Sequence, residues 1–225
     1  MSQYQCVLFD LDGTLAHTAG DLLAALNKLL DEEGQPRLPM SAVRDYVSHG
    51  TNRLLKLAFG EEQPQRDFDH RRKRFLDFYQ ANICEYTRLF PGTSTLLRNI
   101  EQNGGCWGIV TNKPAFLTDP LIYELELEER AACVISGDTT SESKPHPLPM
   151  QVAAEQAGVA PENCIYVGDA QRDIEAGNSA GMLTLIAGWG YIDADQKPET
   201  WGADGRVEHM QEIMDWYNPS LSRTG

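Results

Sequence analysis

Short apolar runs rich in β-branched residues recur along the chain at 6–9, 107–111, 133–136, 164–167 and 183–187. Each is bounded by polar or turn-forming residues and is too short for a stable helix, so each predicts a buried strand. Between them, helix-like patterns cover about 93–103, 115–125, 147–157 and 172–180. Nearly all-apolar strands alternating with helices predict a parallel sheet covered on both faces. One interval breaks the rhythm. From 16 to 90 no run reads as a convincing strand, although a strand–helix–strand unit needs only about 30 residues. The pattern there predicts helices over 21–33, 40–47, 51–59 and 65–83, and Pro91-Gly92 punctuates the return. A loop of that length would be out of place in a compact domain. The expected architecture is a doubly wound α/β core, residues 1–15 and 91–225, with an inserted all-helical cap domain, residues 16–90.

Composition adds limits. Of 225 residues, 41% are hydrophobic and 23% charged, ordinary for a globular protein able to bury a full core. A formal net charge of −14 argues against nucleic acid or an anionic membrane as partner, because both select a basic face. The same field repels an anionic small molecule unless a local cationic cluster or a metal holds it. Cys6, Cys84, Cys106, Cys133 and Cys164 are scattered, odd in number and without a CxxC pair. They read as structural thiols of a reducing compartment. The N-terminus lacks the basic region of a signal peptide, and no stretch approaches the roughly 18 apolar residues of a membrane span. The expectation is a cytoplasmic protein, monomer or homodimer, whose partner is a small molecule.

In a sheet of this kind ligands sit beyond the carboxyl ends of the strands, so the residues just after each apolar run matter most. The first run ends in Asp10-Leu11-Asp12-Gly13-Thr14. Two carboxylates two positions apart at a buried strand end are costly unless a cation pairs with them, and Mg²⁺, which takes oxygen ligands, is the expected one. The next run ends in Thr111-Asn112-Lys113, the third is followed by Lys144, and the fourth ends in Gly168-Asp169 with Asp173 four residues on. Seen alone, Asp-Gly reads as a turn, Thr-Asn as a helix cap and a lysine as solvated surface. Asp169 and Asp173 could simply favour a helix N-terminus. Together on one sheet edge these residues fit phosphoryl transfer, a reaction of positioning and electrostatic stabilisation. Asp10 would attack phosphorus, and Asp12 would serve as general acid and then base. Thr111 and Lys144 would hold the phosphate, while Asp169 and Asp173 would complete an oxygen shell for the metal.

Asp10-Leu11-Asp12-Gly13-Thr14, Thr111, Lys144 and Gly168-Asp169 with Asp173, in this order, resemble the four motifs of the haloacid dehalogenase superfamily. The resemblance covers essentially the whole chain. It implies a Rossmann-like core, Mg²⁺ dependence, phosphomonoester hydrolysis through an aspartyl-phosphate, and a cap that closes over the site. It also implies that Asp12 reaches the metal through its backbone carbonyl, and that Asp173 is either a direct ligand or one shell removed. Arg88-Leu89-Phe90-Pro91-Gly92, Val110-Thr111-Asn112-Lys113-Pro114, Gly190-Tyr191-Ile192 and Trp201-Gly202-Ala203-Asp204 are similar to stretches of the phosphoglycolate phosphatase-like group and of the N-acetylmuramic acid 6-phosphate phosphatases. Both of those substrates carry a carboxylate beside the phosphate ester, so a small carboxylate-bearing phosphate ester is the expected ligand. His17 and Ala170 depart from the resemblance, standing where Asp and Ser are common.

Substrate recognition is expected from the cap loop 48–53, through His49 or Arg53, with Asn112 on the core side. The alternative is that Thr51 caps a helix and Arg53 is solvated. Arg71-Arg72-Lys73-Arg74, set among acidic residues, reads as a solvated helix face, and His146 between two prolines as structural. Two other functions compete: a phosphosugar mutase of the same fold, β-phosphoglucomutase-like, and a non-enzymatic receiver-like module phosphorylated on Asp10. The latter would lack the long helical insert. Dehalogenation would leave Asp12 and Asp169 without a task.

Overall fold

After β1 (Cys6–Phe9) the chain turns tightly into β2 (Ala16–His17). It continues through α1 (Ala19–Glu32), α2 (Met40–Val43), a 3-10 turn (Arg44–His49), α3 (Gly50–Phe59) and α4 (Gln65–Ala81). It returns through β3 (Arg88–Leu89) and then alternates regularly: α5 (Thr93–Gln102), β4 (Cys106–Val110), α6 (Ala115–Glu124), β5 (Val134–Ile135), α7 (Leu148–Ala157), β6 (Cys164–Gly168), α8 (Gln171–Ala180) and β7 (Leu183–Ala187). Strand β8 (Gly205–Val207) and helix α9 (Ile213–Tyr217) close the described chain. The structure is a computed structural model and describes residues 4–218.

Six strands form one all-parallel sheet in the order β5-β4-β1-β6-β7-β8. The winding proceeds outward from β1 on one side and then on the other, so β1 is the switch point at which such sheets bind ligands. Alternation along the strands divides the core. Val7, Phe9, Ile109, Ile165 and Val167 join the layer that includes Leu96, Leu97 and Ile100 of α5. Cys6, Leu8, Val110 and Tyr166 join the layer built with Met150, Ala153 and Ala154 of α7. Because both faces are covered, the strands are apolar throughout, which is why five of them were readable in the sequence. The sixth, β8, was not: Gly205-Arg206-Val207 is a three-residue edge strand with one buried apolar side chain.

The helical segment is organised by α1. Leu22, Ala25, Leu26, Leu29 and Leu30 make a buried stripe at i, i+3, i+4 spacing, and α1 packs along α4 and touches α2 and α3. The expectation that 16–90 holds no strand is corrected at its root. Ala16 pairs with Leu89 and His17 with Arg88, antiparallel. Two residues per strand are too few to display a period, so no sequence pattern could announce this pairing. Asp21, buried in the first turn of α1, accepts hydrogen bonds from Tyr86 N (2.9 Å), Thr87 N (2.8 Å) and Thr87 Oγ1 (2.6 Å), tying the exit of the segment to its entry. No helix among the described residues is long and apolar enough to cross a membrane.

Candidate active site

β1 ends by placing Asp10 at the centre of the sheet edge. Its backbone N–H donates to Val167 O of β6 (2.9 Å), and its Oδ1 accepts from Leu11 N (2.8 Å). The chain then folds back at once, with Leu15 N and Ala16 N both donating to Leu11 O. Gly13 makes this turn at φ +84°. A Cβ there would collide with Asp169 Oδ2 and the Tyr191 ring, so only glycine lets the backbone pass against that carboxylate.

Asp169 follows β6 and Asp173 lies in the first turn of α8; both are fully buried. One carboxylate oxygen from each, and one from Asp10, lie within 4.8 Å of one another. Lys144, also buried, reaches in from the segment after β5. Its Nζ stands 2.9 Å from Asp10 Oδ1, 2.7 Å from Asp173 Oδ1 and 2.8 Å from both Val110 O and Tyr166 Oη. Ser48 Oγ and Tyr191 N each donate to Asp169 Oδ2 at 2.8 Å, while Asp169 Oδ1 is buried with no hydrogen-bond partner. Three buried carboxylates face one bonded lysine and, at longer range, the Arg172 guanidinium, which leaves negative charge uncompensated. Burial, reinforced by Asp10 and Asp173, pushes the Asp169 carboxyl up to about 7. Burial also raises Asp173, against the pull of Lys144. An all-oxygen donor set with one unpartnered oxygen and a charge deficit fits a hard divalent cation.

Asp12 stands apart from that cluster. Its two carboxylate oxygens accept from Lys113 Nζ at 3.0 and 3.1 Å, and the same ammonium donates to Tyr79 Oη of α4 at 2.8 Å. Burial alone would lower the Lys113 pKa; Asp12 and Tyr79 outweigh it and raise it. Thr111 is buried at the end of β4, its Oγ1 accepting from Lys113 N at 3.2 Å. Asn112 forms a reciprocal pair with Lys144: its Nδ2 donates to Lys144 O (2.9 Å) and its Oδ1 accepts from Lys144 N (3.0 Å). The amide expected to meet substrate is thus engaged in holding the lysine segment in place.

A cavity of about 380 Å³ lies over Asp10. The core contributes Asp10, Asp12, Thr111, Asn112 and Lys113 to its walls, and the helical segment contributes Leu22, Leu54, His49, Thr51, Asn52 and Arg72. The ring of His49 also meets Gln196 Nε2 at 3.2 Å. Arg53 is not among the lining residues. Its guanidinium pairs with Glu61 and covers the Tyr46 ring. Of the basic run on α4, Arg71 and Arg74 pair with Glu33 and Glu32, as a solvated face would, but Arg72 lines the cavity. Tyr79 and Arg172 draw no notice in the sequence, and Lys113 and Ser48, though inside candidate stretches, receive no role there. The signal for Arg172 was its place between Asp169 and Asp173, and for Lys113 its place directly after Thr111-Asn112.

Fold and cluster together define a class: an α/β enzyme with a buried aspartate at the switch point of its sheet and a cation-seeking carboxylate group beside it. Residues 7–187 match the family described as haloacid dehalogenase-like hydrolase. A phosphoglycolate phosphatase of Xanthomonas campestris pv. campestris is 41% identical over 218 residues, covering 96% of this chain and 98% of its own. An N-acetylmuramic acid 6-phosphate phosphatase of Pseudomonas aeruginosa is 37% identical over 217 residues, covering 96% of each chain. The crystal structure of a predicted phosphoglycolate phosphatase from Haemophilus somnus superposes with a TM-score of 0.85 at 26% identity, covering 96% of this chain and 99% of that one. The chain belongs to the haloacid dehalogenase-like hydrolase family and is one of its phosphatases.

Proposed function

We propose that this protein hydrolyses a small carboxylate-bearing phosphate monoester, with Mg²⁺ as cofactor and an aspartyl-phosphate on Asp10 as intermediate. One observation carries the reading: Asp10, at the switch point and paired with Lys144, lies on the wall of a single cavity that also receives Asp12 and Thr111. The cavity volume, about 380 Å³, falls in the range of small-ligand pockets, about 300–1,000 Å³. The named relatives support the substrate class: phosphoglycolate and N-acetylmuramic acid 6-phosphate both join a carboxylate to the ester.

In this reading an Asp10 oxygen attacks phosphorus as the bond to the leaving oxygen breaks, and Asp12 gives that oxygen a proton. Asp12 then takes a proton from water as the water attacks the phosphorus, and the Asp10 carboxylate departs. Thr111 and the backbone N–H groups beside it hold phosphate oxygens, and Lys144 fixes Asp10 in place. Asp10, Asp169, Asp173 and the backbone carbonyl of Asp12 would hold the metal, which supplies charge neutralisation for the incoming phosphate. Residues 16–90 act as the cap that excludes water from the phosphoenzyme. The free cysteines, three of them buried, suit a reducing compartment, in our reading the cytoplasm.

A phosphate-release screen across phosphoglycolate, N-acetylmuramic acid 6-phosphate, hexose phosphates and p-nitrophenyl phosphate tests the proposal. The carboxylate-bearing esters should lead. Conversion of a hexose 1-phosphate to its isomer without free phosphate would establish a mutase instead.

A further inference from the structure

Seven of the twelve arginines among the described residues are neutralised by a carboxylate neighbour. Arg37 pairs with Asp31, Arg44 with Asp45, Arg53 with Glu61, Arg71 with Glu33, Arg74 with Glu32, Arg130 with Glu101 and Arg206 with Glu208. The two that line the active-site cavity are not. Arg172, in the first turn of α8, has a buried Nε without a hydrogen-bond partner and makes no ion pair within 4 Å among the described residues. Arg72, on α4, lines the same cavity and likewise makes no ion pair among them. The other cations at the site are already engaged: Lys113 with Asp12, and Lys144 with Asp10 and Asp173. Arg172 feels the charge of Asp173, Asp10 and Asp169 but bonds none of them, so its N–H groups and those of Arg72 are the cationic donors this cavity leaves open.

We infer that Arg172, assisted by Arg72 from the cap side, forms a second anion subsite that grips the substrate's carboxylate while the phosphate is held at Asp10 and Thr111. The inference rests on the phosphatase reading above and gives the carboxylate preference its residues. The chemistry favours it. A guanidinium presents a planar fork of donors that matches a carboxylate bidentately, and partial enclosure strengthens each bond. Arg172 is rooted in the core helix that carries Asp173, so its distance from the reacting phosphorus is set by the rigid part of the molecule. Arg72 comes from the helical segment, so a substrate bridging the two links α4 to the core. A purely structural Arg172, serving only to neutralise the acidic cluster, would be expected to hydrogen-bond those carboxylates. Lys144 does so and Arg172 does not.

The test compares paired esters with and without the carboxylate: phosphoglycolate against 2-hydroxyethyl phosphate, and N-acetylmuramic acid 6-phosphate against N-acetylglucosamine 6-phosphate, which lacks the whole carboxylate-bearing lactyl ether. Steady-state phosphate release is measured for the unmodified protein, R172Q, R172K and R72Q, all loaded with Mg²⁺. The unmodified protein should prefer the carboxylate-bearing member. R172Q should lower kcat/KM for that member by on the order of 10- to 100-fold, mostly through KM, the loss expected for one charge-assisted hydrogen-bonding group. It should lower kcat/KM for the carboxylate-free member far less, so the preference collapses toward one. R172K should restore part of the preference, and R72Q should erode it to a smaller degree. Equal losses on both members would assign Arg172 to the phosphate or to the acidic cluster and overturn the inference, as would an unchanged preference in R172Q and R72Q. Arg72 is exposed on its helix, so R72Q stays informative even if R172Q does not fold. Phosphate release from none of the four esters by the unmodified protein would instead overturn the phosphatase reading itself.

Discussion

Asp10 shows how much of this site is set within a few ångströms. Its carboxylate is buried, yet it keeps a backbone N–H on one oxygen and the Lys144 ammonium within 2.9 Å. Asp10→Asn preserves volume and removes the proposed nucleophile, so phosphate release should fall by at least about 10³-fold. The far-ultraviolet circular dichroism should be unchanged; retained turnover would remove Asp10 from its role. Gly13 is the complementary case, a residue chosen for what it lacks. Gly13→Ala adds a methyl against Asp169 at a φ of +84°, and strain of this kind costs about 1–3 kcal/mol. Chemical denaturation should register that loss, and Mg²⁺ affinity should weaken with it. The residues left without a role in the sequence belong to this scale. Tyr79 lies 34 positions from the lysine it holds, and Ser48 lies 121 positions from Asp169. Neither separation leaves a local mark.

At the scale of elements, the helices of the 16–90 segment were legible by their period and the central strands as continuous apolar runs, each over enough residues to stand out. The stripe of α1 and the apolar runs of β1, β4, β6 and β7 are such cases. The pairings that fasten the segment to the sheet were not. β2 and β3 have two residues each, and the Asp21 clasp joins positions 65 and 66 apart. Asp21→Ala would leave Tyr86 N, Thr87 N and Thr87 Oγ1 without their acceptor, at a cost of about 2–3 kcal/mol. The denaturation midpoint should fall accordingly, and proteolysis should begin near 84–88. An unshifted midpoint would show that water replaces the carboxylate at no cost. His17 illustrates how an unusual residue finds a place at such a junction. Its Nδ1 meets Tyr191 Oη at 2.6 Å and its ring stacks on Phe90. Burial, with Arg44 adding, lowers its pKa. The folded form therefore binds the proton less readily than the unfolded chain, so this histidine weakens the fold as pH drops below about 6.5.

For the whole molecule the decisive quantity is the charge gathered at one sheet edge. In the metal-free protein Asp169 holds its proton up to about 7, and a divalent cation must displace that proton to bind. Apparent Mg²⁺ affinity should therefore rise as pH increases toward and through about 7. Calorimetry in buffers of different ionisation enthalpy should detect proton release on binding. EDTA should silence phosphate release and Mg²⁺ restore it; indifference to chelation would remove the metal from the reaction. The order of strands and helices, the switch-point position of Asp10-Leu11-Asp12 and the types of reactive residue follow from local chemistry. Apolar period, turn residues and the cost of buried carboxylates are properties of short segments, and they can be read without coordinates. Which cation faces which carboxylate is a different kind of fact. That Lys113 holds Asp12, that Asn112 braces Lys144 rather than facing substrate alone, that Arg53 turns to Glu61 while Arg72 and Arg172 line the cavity, all depend on how the helical segment lies on the sheet. Contacts between residues far apart in the chain have no local period to announce them, so only the packed structure could assign them.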